Sequence, residues 1–485
     1  MKKILKLTLS VVLAFVCVFS FTACKKKVSA TTVDTSKVAS NGGITAVYDG
    51  YLYFINGTRK NEGTSLTKNT RSAICRVKYN ADGSVDGSTY EVVVDNLVGY
   101  KNGSLYFFGD YMYYATPCTD KNNKATVLYN KTNFMRYDLV NKKSYNLFTT
   151  ALNDAEETVS YAYYISGQDL NLVVYETKNS SITSLKINKD VKTNYVINGV
   201  SSCVLSQNYG ACVTQNAAQD ANAFVFFTKA HDDVSQDAVQ TGNKVYRTSA
   251  IADTSTLICN NGSTVSLLSI KNGKLVYTCD SKIYAQTITG AQNESLILNH
   301  DYVIAYSYST DASYMFVENG DGSISVLYYD ATAYNLNIIT WNNGVLEPVT
   351  IQEFTKDDKF EFLTTATITE TENDVSHQVT YLIYINSTKL YKIEIAFDGK
   401  YTDSVFAEAI QLTTTAVTSA EGNLVPEVIG NYIYIYAAND AKNTYLYRVD
   451  ITIDDLNDYE TTDQKKATFI GILDDTDTTA TEEKK

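Results

Sequence analysis

Short runs in which almost every position is aliphatic or aromatic alternate along this chain with clusters of Gly, Asn, Asp, Ser and Thr. Tyr51-Leu52-Tyr53-Phe54-Ile55 follows Asp49-Gly50, Leu105-Tyr106-Phe107-Phe108 follows Asn102-Gly103, and Leu275-Val276-Tyr277 follows Asn272-Gly273. Dipeptides of this kind turn tightly and feed a strand, so each predicts the opening of a β-strand. Helical spacing of apolar residues is not sustained anywhere beyond the first two dozen positions. In Tyr432-Ile433-Tyr434-Ile435-Tyr436 the tyrosines point one way and the isoleucines the other. Neither side of that strand is polar, so its sheet needs cover on both faces. A sandwich buries one face per sheet, whereas the blades of a β-propeller stack front and back.

A second pattern sets the number of sheets. Eight times a strand ends in one cadence: Cys75-Arg76-Val77-Lys78, Met135-Arg136-Tyr137-Asp138, Leu185-Lys186-Ile187-Asn188, Tyr246-Arg247-Thr248-Ser249, Tyr284-Ala285-Gln286-Thr287, Leu327-Tyr328-Tyr329-Asp330, Tyr391-Lys392-Ile393-Glu394 and Tyr447-Arg448-Val449-Asp450. The mean interval of about 53 residues suits a four-stranded blade with long loops and exceeds the repeat of a solenoid. The expected fold is all-β: a single propeller over residues 44–473, with eight blades, or seven as the next choice.

The segment before residue 44 reads differently. Lys2, Lys3 and Lys6 precede an apolar stretch from Leu7 to Phe21, and Phe21-Thr22-Ala23-Cys24 follows. This resembles a bacterial lipoprotein signal peptide over residues 1–23, although Phe21 stands where such signals usually carry leucine. The resemblance implies cleavage after Ala23 and a lipid on Cys24, which would anchor the protein to the outer face of the cell membrane. About 15 apolar residues are short for a membrane span. Residues 24–43 are polar and are expected to be a flexible tether. Residues 474–485, rich in Asp, Thr, Glu and Lys, are expected to be a disordered acidic tail.

Composition agrees with a strand-rich body. Tyr 39 and Phe 18 against Pro 3 favour pleated, packed sheets. The formal charge of −13 becomes −16 once the signal's three lysines are removed, which disfavours nucleic acid as a partner. Cys203 and Cys212 flank Gln207-Asn208-Tyr209-Gly210 as a candidate cross-hairpin disulfide, while Cys75, Cys259 and Cys279 sit in apolar runs as small buried hydrophobes.

Tyr381-Leu382-Ile383-Tyr384-Ile385-Asn386-Ser387-Thr388-Lys389-Leu390-Tyr391-Lys392-Ile393-Glu394, followed by Phe397-Asp398-Gly399, and Tyr445-Leu446-Tyr447-Arg448-Val449-Asp450 resemble the repeats of bacterial lipoprotein propellers of unknown function, themselves similar to the low-density-lipoprotein-receptor type. The resemblance implies an exported propeller of six to eight blades and no particular catalytic residue.

Signals of chemistry are sparse. His231, His300 and His377 lie in three separate units, beyond any local ligand spacing. No G-x-S-x-G, P-loop or dinucleotide fingerprint is present, and no catalytic residue, metal or cofactor is expected. Asn80-Ala81-Asp82-Gly83-Ser84-Val85-Asp86 alternates oxygen ligands as a calcium loop would, but lacks the closing glutamate and reads better as a turn, as does Asn319-Gly320-Asp321-Gly322-Ser323. Aromatic residues expected on loops, where they could meet a ligand, are Trp341, Tyr111, Tyr113 and Tyr114. The leading expectation is a non-enzymatic module that binds a protein or glycan. The alternatives are a polysaccharide-active enzyme using two carboxylates at the propeller face and an envelope assembly scaffold.

Overall fold

The computed structural model describes residues 38–474 except 41, 60–64, 124–125, 152–157, 189, 207–210, 213–222, 231–233, 236–237, 240–242, 260–264, 289–297, 299–302, 320, 343–344, 373–374, 396–407, 420–421, 440–442 and 455–466. The described chain forms eight sheets built on four antiparallel strands each, the blades of one β-propeller, beside a small two-stranded sheet of Val234–Ser235 and Ala238–Val239. Blade 1 comprises Thr45–Tyr48, Tyr51–Ile55, Ile74–Tyr79 and Val85–Val94; blade 2 comprises Leu105–Phe108, Tyr111–Thr119, Val127–Asp138 and Lys143–Thr149. Blade 3 runs Ser160–Ser166, Asp169–Glu176, Ser181–Lys186 and Lys192–Asn198, and blade 4 runs Ser202–Val204, Phe224–Ala230, Asn243–Ser249 and Thr256–Cys259. Val265–Lys271, Lys274–Cys279, Lys282–Thr287 and Val303–Ala305 make blade 5; Ala312–Glu318, Ile324–Asp330, Asn335–Asn342 and Val345–Glu353 make blade 6. Blade 7 is Phe360–Glu372, Val375–Asn386, Lys389–Glu394 and Ile410–Gln411. In blade 8 the first position is shared by Val417–Thr418 and Glu427–Ile429, beside Tyr432–Ala438, Thr444–Asp450 and Thr468–Phe469.

Each cadence found in the sequence occupies one blade, on its third strand everywhere except blade 6, where Leu327–Asp330 lies on the second. Burial follows the two-sided pattern. Tyr434 and Tyr436 pack into a cluster with Phe54, Ile55 and Ile74 of blade 1, and Ile433 and Ile435 into another with Ile383 and Leu390 of blade 7. Comparable clusters fill the remaining interfaces around the wheel. Burying each such side chain on both sides of a sheet contributes roughly 1.5–3 kcal/mol on a transfer scale.

Among the described residues no strand from one chain end completes the blade of the other, and side chains help to close the ring. Tyr436 Oη donates to Ile55 O at 3.1 Å, Arg448 Nη1 to Gly83 O at 2.9 Å, and Asn56 Nδ2 to Ile472 O at 2.7 Å.

The two faces of the wheel differ. The 1–2 and 3–4 turns lie on one, here the turn face; the 2–3 and 4–1 connections lie on the other, the loop face. Three extra segments line the inner strands. Val38–Ser40 pairs with the first strand of blade 2, Val38 opposite Phe108, so the last part of the segment expected to be a tether is a strand. Ala211–Cys212 runs parallel to the first strand of blade 3. The segment between the two halves of blade 8's first strand lies along the loop-face mouth: Val425 O accepts from Ile44 N at 3.2 Å, Asn423 N donates to Lys101 O at 2.7 Å, and Asn423 Nδ2 donates to Val159 O at 3.0 Å. It therefore straps blade 8 to blades 1, 2 and 3.

The expected Cys203–Cys212 pair is corrected. Cys203 carries a free thiol on blade 4, whereas Cys212 pairs with Ile165 of blade 3, so the two cysteines belong to different sheets. Cys75, Cys259 and Cys279 are buried, as expected. Both acidic loops are turns. Asn80 N donates to Ser84 O and Asn319 N to Ser323 O, with Gly83 at φ 81° and Gly322 at φ 82°. Asp474, where the tail was expected to begin, is held by Tyr445 Oη at 2.9 Å; residues 475–485 lie outside the described part.

Candidate functional site

The cadence has a structural meaning that leads to the site. Its basic residue lies opposite the middle of the neighbouring strand and stacks on the aromatic ring two residues before its partner. Arg76 lies 4.2 Å from the Tyr51 ring centre, Arg136 4.5 Å from Tyr111, Arg247 4.8 Å from Phe224 and Arg448 4.6 Å from Tyr432. The ring's negative face attracts the cation where little water competes. Two of these cations also reach the next blade: Arg136 Nη1 donates to Asn188 O at 3.1 Å and Arg448 Nη1 to Gly83 O at 2.9 Å.

Blade 7 keeps this device with a lysine in place of the arginine. Its basic residue is Lys392, fully buried, with Nζ 4.3 Å from the Tyr381 ring centre. Among the described residues its first two strands outrun the third: residues 375–379 pair only with residues 368–372, whereas Ile395 N donates to Thr380 O at 2.9 Å and Lys389–Glu394 pairs from Tyr381 onward. The hairpin thus projects as a two-stranded arm on the turn face. Ile368 and Val379 pack inward with Ile451 and Ile453 of blade 8, while Thr367, Thr369, Thr371, Ser376 and Gln378 point outward.

On the inward face of the arm polar groups converge. Tyr381 Oη donates to Glu370 Oε1 at 2.6 Å. His377 lies directly across the strands from Glu370, with Nε2 3.9 Å from Oε2; the two side chains are 45% and 32% exposed. From blade 8, the exposed Asp454 places Oδ1 3.5 Å from Lys392 Nζ. Burial, and then the Glu370 carboxylate, push the Tyr381 phenol well above its ordinary range, so it remains a proton donor. The phenol therefore orients the Glu370 side chain by donating to it. The result is a lysine–tyrosine floor beneath a rim of two carboxylates and an imidazole, a set able to accept and return protons at a substrate oxygen. No group of three or more His, Cys, Asp or Glu side chains suited to a metal ion occurs among the described residues.

The residues singled out in the sequence do not assemble here. Tyr111, Tyr113 and Tyr114 are buried within the second strand of blade 2, Tyr111 under Arg136, and offer no ring to solvent. Trp341, expected on a loop, is a strand residue of blade 6 paired with Leu346. Cys24, His231 and His300 lie outside the described residues. Of the three histidines, His377 alone is placed, and it belongs to the site. Glu370, Tyr381, Lys392 and Asp454 carried no motif; the alternation Thr367, Thr369, Thr371 on a long hairpin was the signal that could have exposed the arm.

No family model and no curated protein matches the chain. Solved structures do resemble it. They include an oligogalacturonate lyase from Vibrio parahaemolyticus (8% identity, TM-score 0.36, 70% of this chain and 86% of that one) and a Mycobacterium tuberculosis puromycin-hydrolyzing peptidase (11%, TM-score 0.35, 88% and 53%). The propeller domain of the Trilobed protease from Pyrococcus furiosus is another (10%, TM-score 0.34, 70% and 90%). This chain matches only about half the length of the peptidase. These structures are enzymes or parts of enzymes by name, which runs against the expected non-enzymatic binding module, and that expectation is withdrawn. Likeness at this level assigns no activity.

Proposed function

We propose that the protein is a propeller enzyme acting on a carbohydrate polymer, held outside the cytoplasm by a lipid on Cys24. The observation that carries the catalytic part is that Glu370 accepts from Tyr381 while Asp454 faces Lys392, the two partners of one buried contact. Glycoside chemistry needs two carboxyl groups flanking the scissile bond and no bound metal. Glu370, fixed by the phenol, serves as one of them; Asp454, beside Lys392 Nζ, serves as the other. The anchor rests on the signal sequence and on the resemblance of the repeats to lipoprotein propellers.

The test is product release from a panel of polysaccharides by the purified protein. Glu370→Gln and Asp454→Asn, which keep shape and hydrogen-bond acceptors, are expected to lower turnover by ~100-fold or more. Retention of a polysaccharide without product, or unchanged turnover in both variants, overturns the reading.

A further inference from the structure

The chain leaves the wheel on the same side as the arm. Val38 lies opposite Phe108, at the turn-face end of blade 2's first strand, and the hairpin of blade 7 projects from that face too. Both belong to inner strands and so lie near the axis. Between Cys24 and Val38 only residues 25–37 intervene. A random coil of that length spans ~20 Å on average, close to the ~17 Å by which five residue pairs of the arm outreach the described third strand. Presenting the loop face to the membrane would require the tether to run outward past the blades, near its fully extended limit of about 48 Å. Lys25, Lys26 and Lys27 directly after Cys24 add attraction to anionic headgroups, which holds the start of the tether close to the surface.

We infer that the site works on glycan attached to the membrane itself, a sugar chain borne on a lipid, rather than on free polymer. The inference rests on the proposed anchor and on the proposed activity of the arm, and it names the substrate class of that same site.

The test uses the full lipidated chain in vesicles of phosphatidylglycerol and phosphatidylcholine. A fluorophore is placed at Ser376→Cys on the arm or at Thr177→Cys on the loop face, with labelling of the parent protein subtracted. A headgroup quencher is expected to quench the arm label several-fold more than the loop-face label; equal or reversed quenching overturns the inference. In the same vesicles, a lipid-borne oligosaccharide is expected to be processed ~10-fold or more faster than the same sugar in solution, because a shared membrane raises its effective concentration. That advantage disappears in Cys24→Ser. Equal rates on both forms overturn the substrate class alone. Arm-selective quenching with no turnover of either form overturns the catalytic reading and leaves the orientation standing, and failure of the chain to bind vesicles overturns the anchor.

Discussion

A guanidinium can be buried in a blade because the fold offers it three partners at once: an aromatic face, a hydroxyl nearby and a carbonyl from the next blade. Arg136 is almost wholly buried over Tyr111 and bonded to Asn188 O. Arg136→Met keeps the volume but removes the charge, the stacking and the donor. It is expected to cost about 2–4 kcal/mol, since the Asn188 carbonyl loses a charged donor; urea unfolding measures this, and a loss below 1 kcal/mol would show that the arginine only fills space. Glu176 is a residue of the opposite kind. Burial raises its carboxyl above 4.5, even though Ala151 N donates to it at 2.7 Å. The folded state therefore holds the proton more tightly than the unfolded state, and stability falls as pH climbs from about 4.5 through the raised value. Glu176→Gln, which still accepts from Ala151, should match the parent in acid and exceed it at neutral pH. A gap independent of pH, seen in unfolding midpoints across that range, would contradict the assignment.

At the scale of elements, the strap across the loop-face mouth is the least predictable part. Gly422 has φ 68°, and a Cβ there would run into the Lys101 carbonyl. Gly430 has φ 59° with open space around it. Alanine at Gly430 carries only the backbone cost of about 1 kcal/mol, whereas Gly422→Ala adds a clash and should lose at least ~2 kcal/mol. Equal thermal shifts in the two variants would mean that the strap does not hold the ring. The strap was invisible in sequence because its bonds join residues hundreds of positions apart, such as Asn423 and Val159. The arm was half visible: alternation marked its strands, but nothing local showed that they outrun the third strand. Strand openings such as Asp49-Gly50 were legible, because tight turns are decided by a few adjacent residues.

For the whole molecule, closure is the central question, since blade 8 meets blade 1 only through side chains and loops. Removing residues 467–485 takes away the fourth strand of blade 8, the Ile470 contact with blade 1 and the Asn56–Ile472 bonds. This truncation is expected to replace one cooperative melting transition with a broader, earlier one, as neighbour-by-neighbour stacking loses its ring constraint; calorimetry reads the outcome, and an unchanged transition would show that the strap alone closes the wheel. The sequence by itself determined the all-β class, the eight units and the burial of strands on both faces, because these follow from period-two alternation and from a repeat, which are local and redundant. Only the tertiary structure decided which tyrosines are core and which residues meet at the arm. A blade's register places Arg136 over Tyr111, and an interface between blades brings Asp454 to Lys392. Contacts of that kind depend on how separate sheets stack, which no stretch of chain encodes alone.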